Sequence, residues 1–104
     1  MPKPRVAKYY YNLDGETETS RQLATSGGRE IIAVIITAGS SAAVARIADT
    51  STSTVTSRDS FLIAANTGES TPFVPNQPIP FSRGLYIVLE QGAAFGAEVF
   101  VAYN

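Results

Sequence analysis

The last quarter of the chain sets the class of fold. Residues 81–92 and 97–103 are rich in β-branched and aromatic side chains, and Gly92-Ala93-Ala94-Phe95-Gly96 separates them. Such residues favour a pleated surface, and two of these runs around a Gly/Ala connection read as a β-hairpin. Side chains on a strand alternate between faces, so Leu85, Ile87 and Leu89 point one way and Tyr86 and Val88 the other. Both faces are apolar. The C-terminal stretch is therefore expected to be core, and a second run of the same kind, 31–36, is expected to be a central strand.

The rest of the chain has the same short rhythm. Pro2 and Pro4 predict an extended arm over 1–5, because proline fixes φ and biases the preceding residue to extended backbone. Residues 5–11 read as an edge strand carrying Tyr9, Tyr10 and Tyr11, followed by turn chemistry at 12–15 and a short exposed strand near 16–19. Ala42 to Asp49 is compatible with a helix by composition, but it is short and follows a Gly-Ser turn. A strand paired back onto 31–37 is the better reading. Residues 50–57 are almost all Ser and Thr, whose hydroxyls bond to nearby backbone, so they form a loop or an edge. Residues 61–65 read as a buried strand. The four prolines of 71–80 cannot donate to a central ladder, which makes that segment a stiff connection with Phe73, Val74 and Ile79 capping the core.

Counted this way there are seven or eight short strands and no credible long helix. The expectation is a single all-β domain over 1–104, an antiparallel β-sandwich, with a jelly roll among the topologies allowed.

Composition narrows the chemistry. Eight Lys and Arg against nine Asp and Glu give a net charge of −1, which lacks the basic footprint of a phosphate-backbone binder, so nucleic acid is not an expected partner. There is no Cys and no His, which removes thiolate chemistry, His-based triads and the common zinc ligands. The N-terminus has charges but no apolar segment behind them, so no signal peptide is expected, and 31–36 is too short to span a bilayer as a helix. No membrane partner is assigned.

Asp14, Glu16 and Glu18 alternate, but a calcium loop supplies more oxygen ligands in a defined pattern, so a solvated acidic loop is expected and no metal is assigned. The glycines at 27–28 and 92–96 do not open a helix and carry no lysine-hydroxyl pair, so they are turn residues. Asp49 with Asp59, or Glu90 with Glu98, are the carboxylate pairs that a sandwich brings within reach. With no pocket signature around them, no enzyme and no cofactor are expected.

A free two-layer sandwich alternates apolar inside and polar outside on each strand. Runs 31–36 and 85–89 break that rule, so Tyr86, Val88, Phe100 and one face of the isoleucine run need cover by loops or by another subunit. With short loops a second subunit is the more economical cover, which puts Tyr86, Val88 and Phe100 at a subunit interface; the alternative is a closed barrel screened by Tyr rings and the proline segment.

The phrase Pro80-Phe81-Ser82-Arg83-Gly84-Leu85-Tyr86, then a Gly-Ala turn and the strand ending at Tyr103, resembles the C-terminal hairpin of small virion proteins of tailed bacteriophages. Their recurrent form there is Pro-Phe-x-x-Gly-Leu-Tyr, a glycine turn and a final strand ending in tyrosine. The resemblance covers the last quarter of the chain. It implies a β-rich capsid cement or decoration protein, or another head or tail component, without enzymatic activity and often trimeric. It further implies the major capsid protein as partner and a virion location after synthesis in the host cytoplasm. On that reading Lys3, Arg5, Tyr9, Tyr10 and Tyr11 are the expected capsid contacts. A carbohydrate- or receptor-binding module using the Ser/Thr loop is the alternative.

Overall fold

The computed structural model describes residues 9–104, with the side chains of 9–12 and of Ser57 left out of the description. The expected arm at 1–5 lies outside the described residues. Nine strands are present among them: β1 (Tyr9–Asp14), β2 (Ser20–Ala24), β3 (Arg29–Thr37), β4 (Ala43–Ala48), β5 (Ser60–Ala65), β6 (Ser70–Phe73), β7 (Ile79–Phe81), β8 (Leu85–Gln91) and β9 (Glu98–Tyr103). One sheet has the order β1-β9-β3-β6, with β7 also paired to β3, and the other has the order β2-β8-β4-β5. All pairings are antiparallel.

The pairings nest. β1 meets β9, β2 meets β8, β3 meets β6 and β7, and β4 meets β5. This is one long antiparallel hairpin rolled into two sheets, the jelly roll that the sequence left open. Alternation then builds the core: Val34, Ile36, Val99 and Val101 from one sheet face Ile47, Leu85, Ile87 and Leu89 from the other.

The expected C-terminal hairpin is not formed. β8 and β9 lie in different sheets, because Gly92 (φ 87°) and Gly96 (φ 80°) take left-handed backbone on either side of a short 3-10 turn at Ala93–Phe95. That turn carries the chain across the sandwich instead of back along it. The expectation of core at this end holds, with Val99 and Val101 fully buried and Tyr103 buried at 5% exposure. β4 is a strand as expected, but it pairs with β5 and β8 and not with β3. The Ala38–Ala42 connection crosses between sheets, and a strand's own pattern does not name its partner.

Smaller differences have local causes. Leu13 is fully buried within β1, so the first turn comes at 15–17 and the next strand starts at Ser20. Burying that side chain stabilises the fold by about 2 kcal/mol. Residues 50–56 form a loop. β5 alternates, with Ile63 and Ala65 buried but Leu62 and Ala64 exposed, as suits an edge strand with one solvated face. The proline-rich segment contributes β6 and β7, two short pieces on one edge of β3, where Pro72 and Pro80 are tolerated.

Tyr103 ties the terminus to the far sheet. Its hydroxyl donates to the Leu23 carbonyl at 2.9 Å, and its ring meets Phe81 edge-on at 6.1 Å between centroids. The Arg29 guanidinium lies over the same ring at 5.2 Å. Tyr103→Phe is expected to lower stability by about 1 kcal/mol through the lost hydrogen bond. Urea denaturation checks this; a loss near zero would mean that the hydroxyl is equally well served by water.

Candidate interaction surface

The outward face of the β1-β9-β3-β6 sheet carries an apolar row. Phe100 of β9 pairs in register with Ile35 of β3, and Ile35 with Pro72 of β6. Ile35 is 37% exposed and Phe100 38%. One step along the strands, Val74 is 69% exposed. It was expected to cap the core, but Phe73 turns inward at the end of β6, and alternation sends the next residue out. The row has a polar border, since Thr37 pairs in register with Glu98 and with Ser70, and the two hydroxyls meet at 2.9 Å.

The opposite outward face is different. Tyr86 and Val88 lie there, both partly buried, and Val88 pairs in register with Arg46 and Ser20. Arg46 donates to Glu90 at 2.8 Å and to the Ser60 hydroxyl at 2.6 Å, so this face is laced with polar bonds. The three residues expected at one interface are thus split, Phe100 on one sheet and Tyr86 with Val88 on the other. Of the expected capsid contacts, Lys3 and Arg5 lie outside the described residues. Tyr9, Tyr10 and Tyr11 are described only as the backbone of edge strand β1. Ile35, Pro72 and Val74 were not singled out from sequence as contact residues. The doubly apolar run 31–36 signalled the first, but the other two needed the register.

One end of the sandwich is polar. The Asp49 carboxylate accepts from the backbone N–H groups of Ser82 (3.0 Å), Arg83 (2.8 Å) and Gly84 (3.2 Å) and from the Ser82 hydroxyl (3.1 Å). Partial burial raises the pKa of Asp49, yet these backbone donors outweigh it and hold the carboxyl below its ordinary value. Asp59 is also lowered, first by the hydrogen bond from Arg83, which forms an exposed ion pair with it. Asp49 and Asp59 are cross-strand neighbours, the Asp49 N–H donating to the Asp59 carbonyl at 2.8 Å, but each carboxylate is held ionised by donors, which is the opposite of a general acid poised near neutrality. Glu90 and Glu98 sit on strands of opposite sheets.

Three hollows flank this end, one of them an open depression of about 500 Å³ lined by Arg29, Glu30, Asp49 and Ser82. A cleft of about 260 Å³ opens between β5 and β7, floored by Ile47, Phe61, Ile79 and Leu85 and rimmed by Arg58 and Asp59. A second, about 280 Å³, is lined by Thr50, Thr52, Thr54, Thr56 and Arg83 and has no aromatic wall. Among the described residues no group of three or more acidic side chains is placed to hold a metal ion, and no helix is long and apolar enough to cross a membrane. Glu18 is engaged by Arg21 at 2.6 Å, and Asp14 accepts from the Glu16 N–H at 2.9 Å.

The phrase at 80–86 is a latch in this structure. Phe81 is 2% exposed and Leu85 fully buried, Ser82 to Gly84 supply the N–H groups for Asp49, and a Cβ on Gly84 would lie 2.5 Å from the Thr50 carbonyl oxygen. Its residues hold a turn against the Ser/Thr loop.

The molecule is thus a jelly-roll β-sandwich with one apolar outward row and a polar end. It is similar to a solved structure of PirA, with a TM-score of 0.52 and 14% identity, covering 94% of this chain and 96% of that one. At that identity the likeness is one of fold. Weaker likenesses are found to the coat protein of Tobacco streak virus (TM-score 0.33, 8% identity, 96% of this chain and 90% of that one) and to a structure of infectious bursal disease virus Gx strain (TM-score 0.31, 13% identity, 100% and 41%). Neither is close enough to bear on role. No family model and no curated protein matches the sequence.

Proposed function

We propose that the chain is a non-enzymatic structural protein of a tailed-phage virion, a cement or decoration protein that stabilises the shell through contacts with the major capsid protein and with its own copies. The observation that carries this reading is the apolar row Phe100–Ile35–Pro72 with Val74 beside it, solvent-facing on a sheet whose inner face already fills the core. Contiguous exposed apolar surface with a polar border is the usual mark of a protein contact. The resemblance of residues 80–103 to phage virion proteins supplies the setting. The mechanism is interfacial: many copies each bury a modest area, and their contacts add across the shell.

The carbohydrate-binding alternative requires a concave aromatic platform with convergent polar groups. The hydroxyl-lined hollow has the polar groups without the platform.

Co-sedimentation with empty heads of the phage that encodes the chain tests the proposal, with isolated tails run in parallel. Wild-type protein is expected to pellet with heads, and the Ile35→Glu/Val74→Glu double variant to lose at least ~10-fold in affinity, as truncating a contact centre does. Binding to tails alone would move the protein to the tail or head-tail junction. Undiminished head binding by the double variant would remove this face from the contact.

A further inference from the structure

Among the described residues β5 forms one edge of its sheet, and its own sequence carries no device against further pairing. Edge strands are ordinarily blunted by charge, proline or bulges. β2 has Arg21 and a register shift between Gln22 and Ala24, and the β6–β7 edge has Pro72 and Pro80 with Pro75 and Pro78 between them. β5 reads Ser-Phe-Leu-Ile-Ala-Ala, without charge or proline, and runs along β4 with no shift in register from Ala65 to Ser60.

The direction of its free backbone groups follows from one bond. The Asp49 N–H donates to the Asp59 carbonyl at 2.8 Å, which makes those two a hydrogen-bonded pair at the end of the β4–β5 ladder. Bonded and non-bonded pairs alternate in an antiparallel ladder. Phe61, Ile63 and Ala65 therefore turn their backbone groups to β4, and Ser60, Leu62 and Ala64 turn theirs away from the sheet. Among the described residues, no turn or loop hydrogen bond reaches the N–H or C=O of these three. The side chain of Leu62, midway along this edge, is 51% exposed.

We propose that β5 pairs antiparallel with β5 of a second copy, about a two-fold axis at Leu62. The register is self-complementary. Leu62 falls opposite Leu62 of the second copy and Ser60 opposite Ala64, so every outward N–H meets an outward C=O in about six backbone hydrogen bonds. Residues directly opposite share a face, so the two Leu62 side chains cover each other outside while Phe61 faces Ile63 of the second copy on the inner side. A second copy is the occupant because the strand supplies both halves of this match and a two-fold contact closes at two. Left open, six apolar or small residues without charge or proline are a template for aggregation. This inference extends the assembly reading but needs no capsid, and it uses the backbone edge of the other sheet, which lies beside β6, where the Phe61 and Phe73 rings meet at 5.7 Å, and not the outward Ile35 face itself. By itself it yields a dimer, in place of the trimer implied by the resemblance.

Cysteine cross-linking reads the register directly, because the chain has no cysteine of its own. Opposed Cα atoms of a bonded pair lie about 5.5 Å apart, within disulfide range, so Leu62→Cys should oxidise to a covalent dimer. Ala64→Cys lies about 14 Å from its own mate in this register and should give at least ~10-fold less. Leu62→Lys should halve the mass measured by light scattering while leaving the far-UV circular dichroism unchanged. Equal or absent cross-linking at the two positions, or a mass unmoved by Leu62→Lys, overturns the proposal. So does a cross-link that disappears when residues 1–8 are removed, since those residues and not the β5 edge would then hold the copies together. Loss of head binding with the cross-link retained would count against the capsid reading alone.

Discussion

Gly39→Ala is expected to destabilise the fold by about 3 kcal/mol or more, an overpacking effect at the upper end of its usual range. A Cβ built at Gly39 falls well inside van der Waals contact distance of the Phe95 carbonyl oxygen and meets the Phe95 and Gly96 backbone. Neither side has room to withdraw. The Ser40 N–H donates to that same Phe95 oxygen at 3.0 Å, and the Gly39 carbonyl accepts from the Gly68 N–H at 3.0 Å. The first bond pins the connection after β3 against the turn that carries the chain from β8 to β9, and the second ties it to the turn between β5 and β6, so the clash falls where the two sheets are joined. Thermal unfolding should show the midpoint falling by roughly 15 °C, given a few degrees per kcal/mol for a domain of this size. A fall of only two or three degrees would mean that the turn moves aside freely.

Asp49→Ala is the second large effect, expected at about 2 kcal/mol, because three backbone donors and a hydroxyl lose one ionised acceptor together. The carboxylate bridges the end of β4 to the turn at Ser82–Gly84, which in turn seats Phe81 and Leu85 in the core. The same group sets a pH dependence. Its folded pKa is depressed, so its contribution is complete above the ordinary aspartate value near pH ~4 and is lost as pH falls through the lower folded value. Urea midpoints measured from pH 6 down to pH 2.5 should therefore show the gap between wild type and Asp49→Ala closing below pH ~4. A gap that stays constant over that window would mean that the variant loses packing, and not the carboxylate's bonds. The exposed Asp59–Arg83 pair adds little by comparison, as surface ion pairs do.

The two outward faces explain why apolar strands on both sides did not lead to one interface. In β8 the outward residues Tyr86 and Val88 are interleaved with Glu90 of the same strand and with Arg46 and Gln22 of the neighbouring strands. In β3 the outward Ile35 finds Phe100 and Pro72 on either side. The runs look alike in sequence, but a face is composed across strands, and only the register says which rows are apolar. Val74 teaches the same lesson, since its exposure depends on where β6 ends.

What the sequence determined by itself was local. β-branched and aromatic runs at 31–36 and 85–89 specified strands, and prolines at 72–80 kept that segment out of a sheet's centre, because backbone sterics and side-chain alternation act over a few residues; that it forms two edge pieces, and that 50–56 is loop and not edge, came from the structure. The all-β sandwich followed from that rhythm, and so did the burial of Val99 and Val101. Only the tertiary structure decided the partners: β8 and β9 in different sheets, β4 beside β5 and β8, Asp49 closed over the N–H groups of a turn more than thirty residues away. Those choices are made by long-range burial, which rewards whichever pairing encloses both inner faces at once, and no short window of the chain encodes that sum.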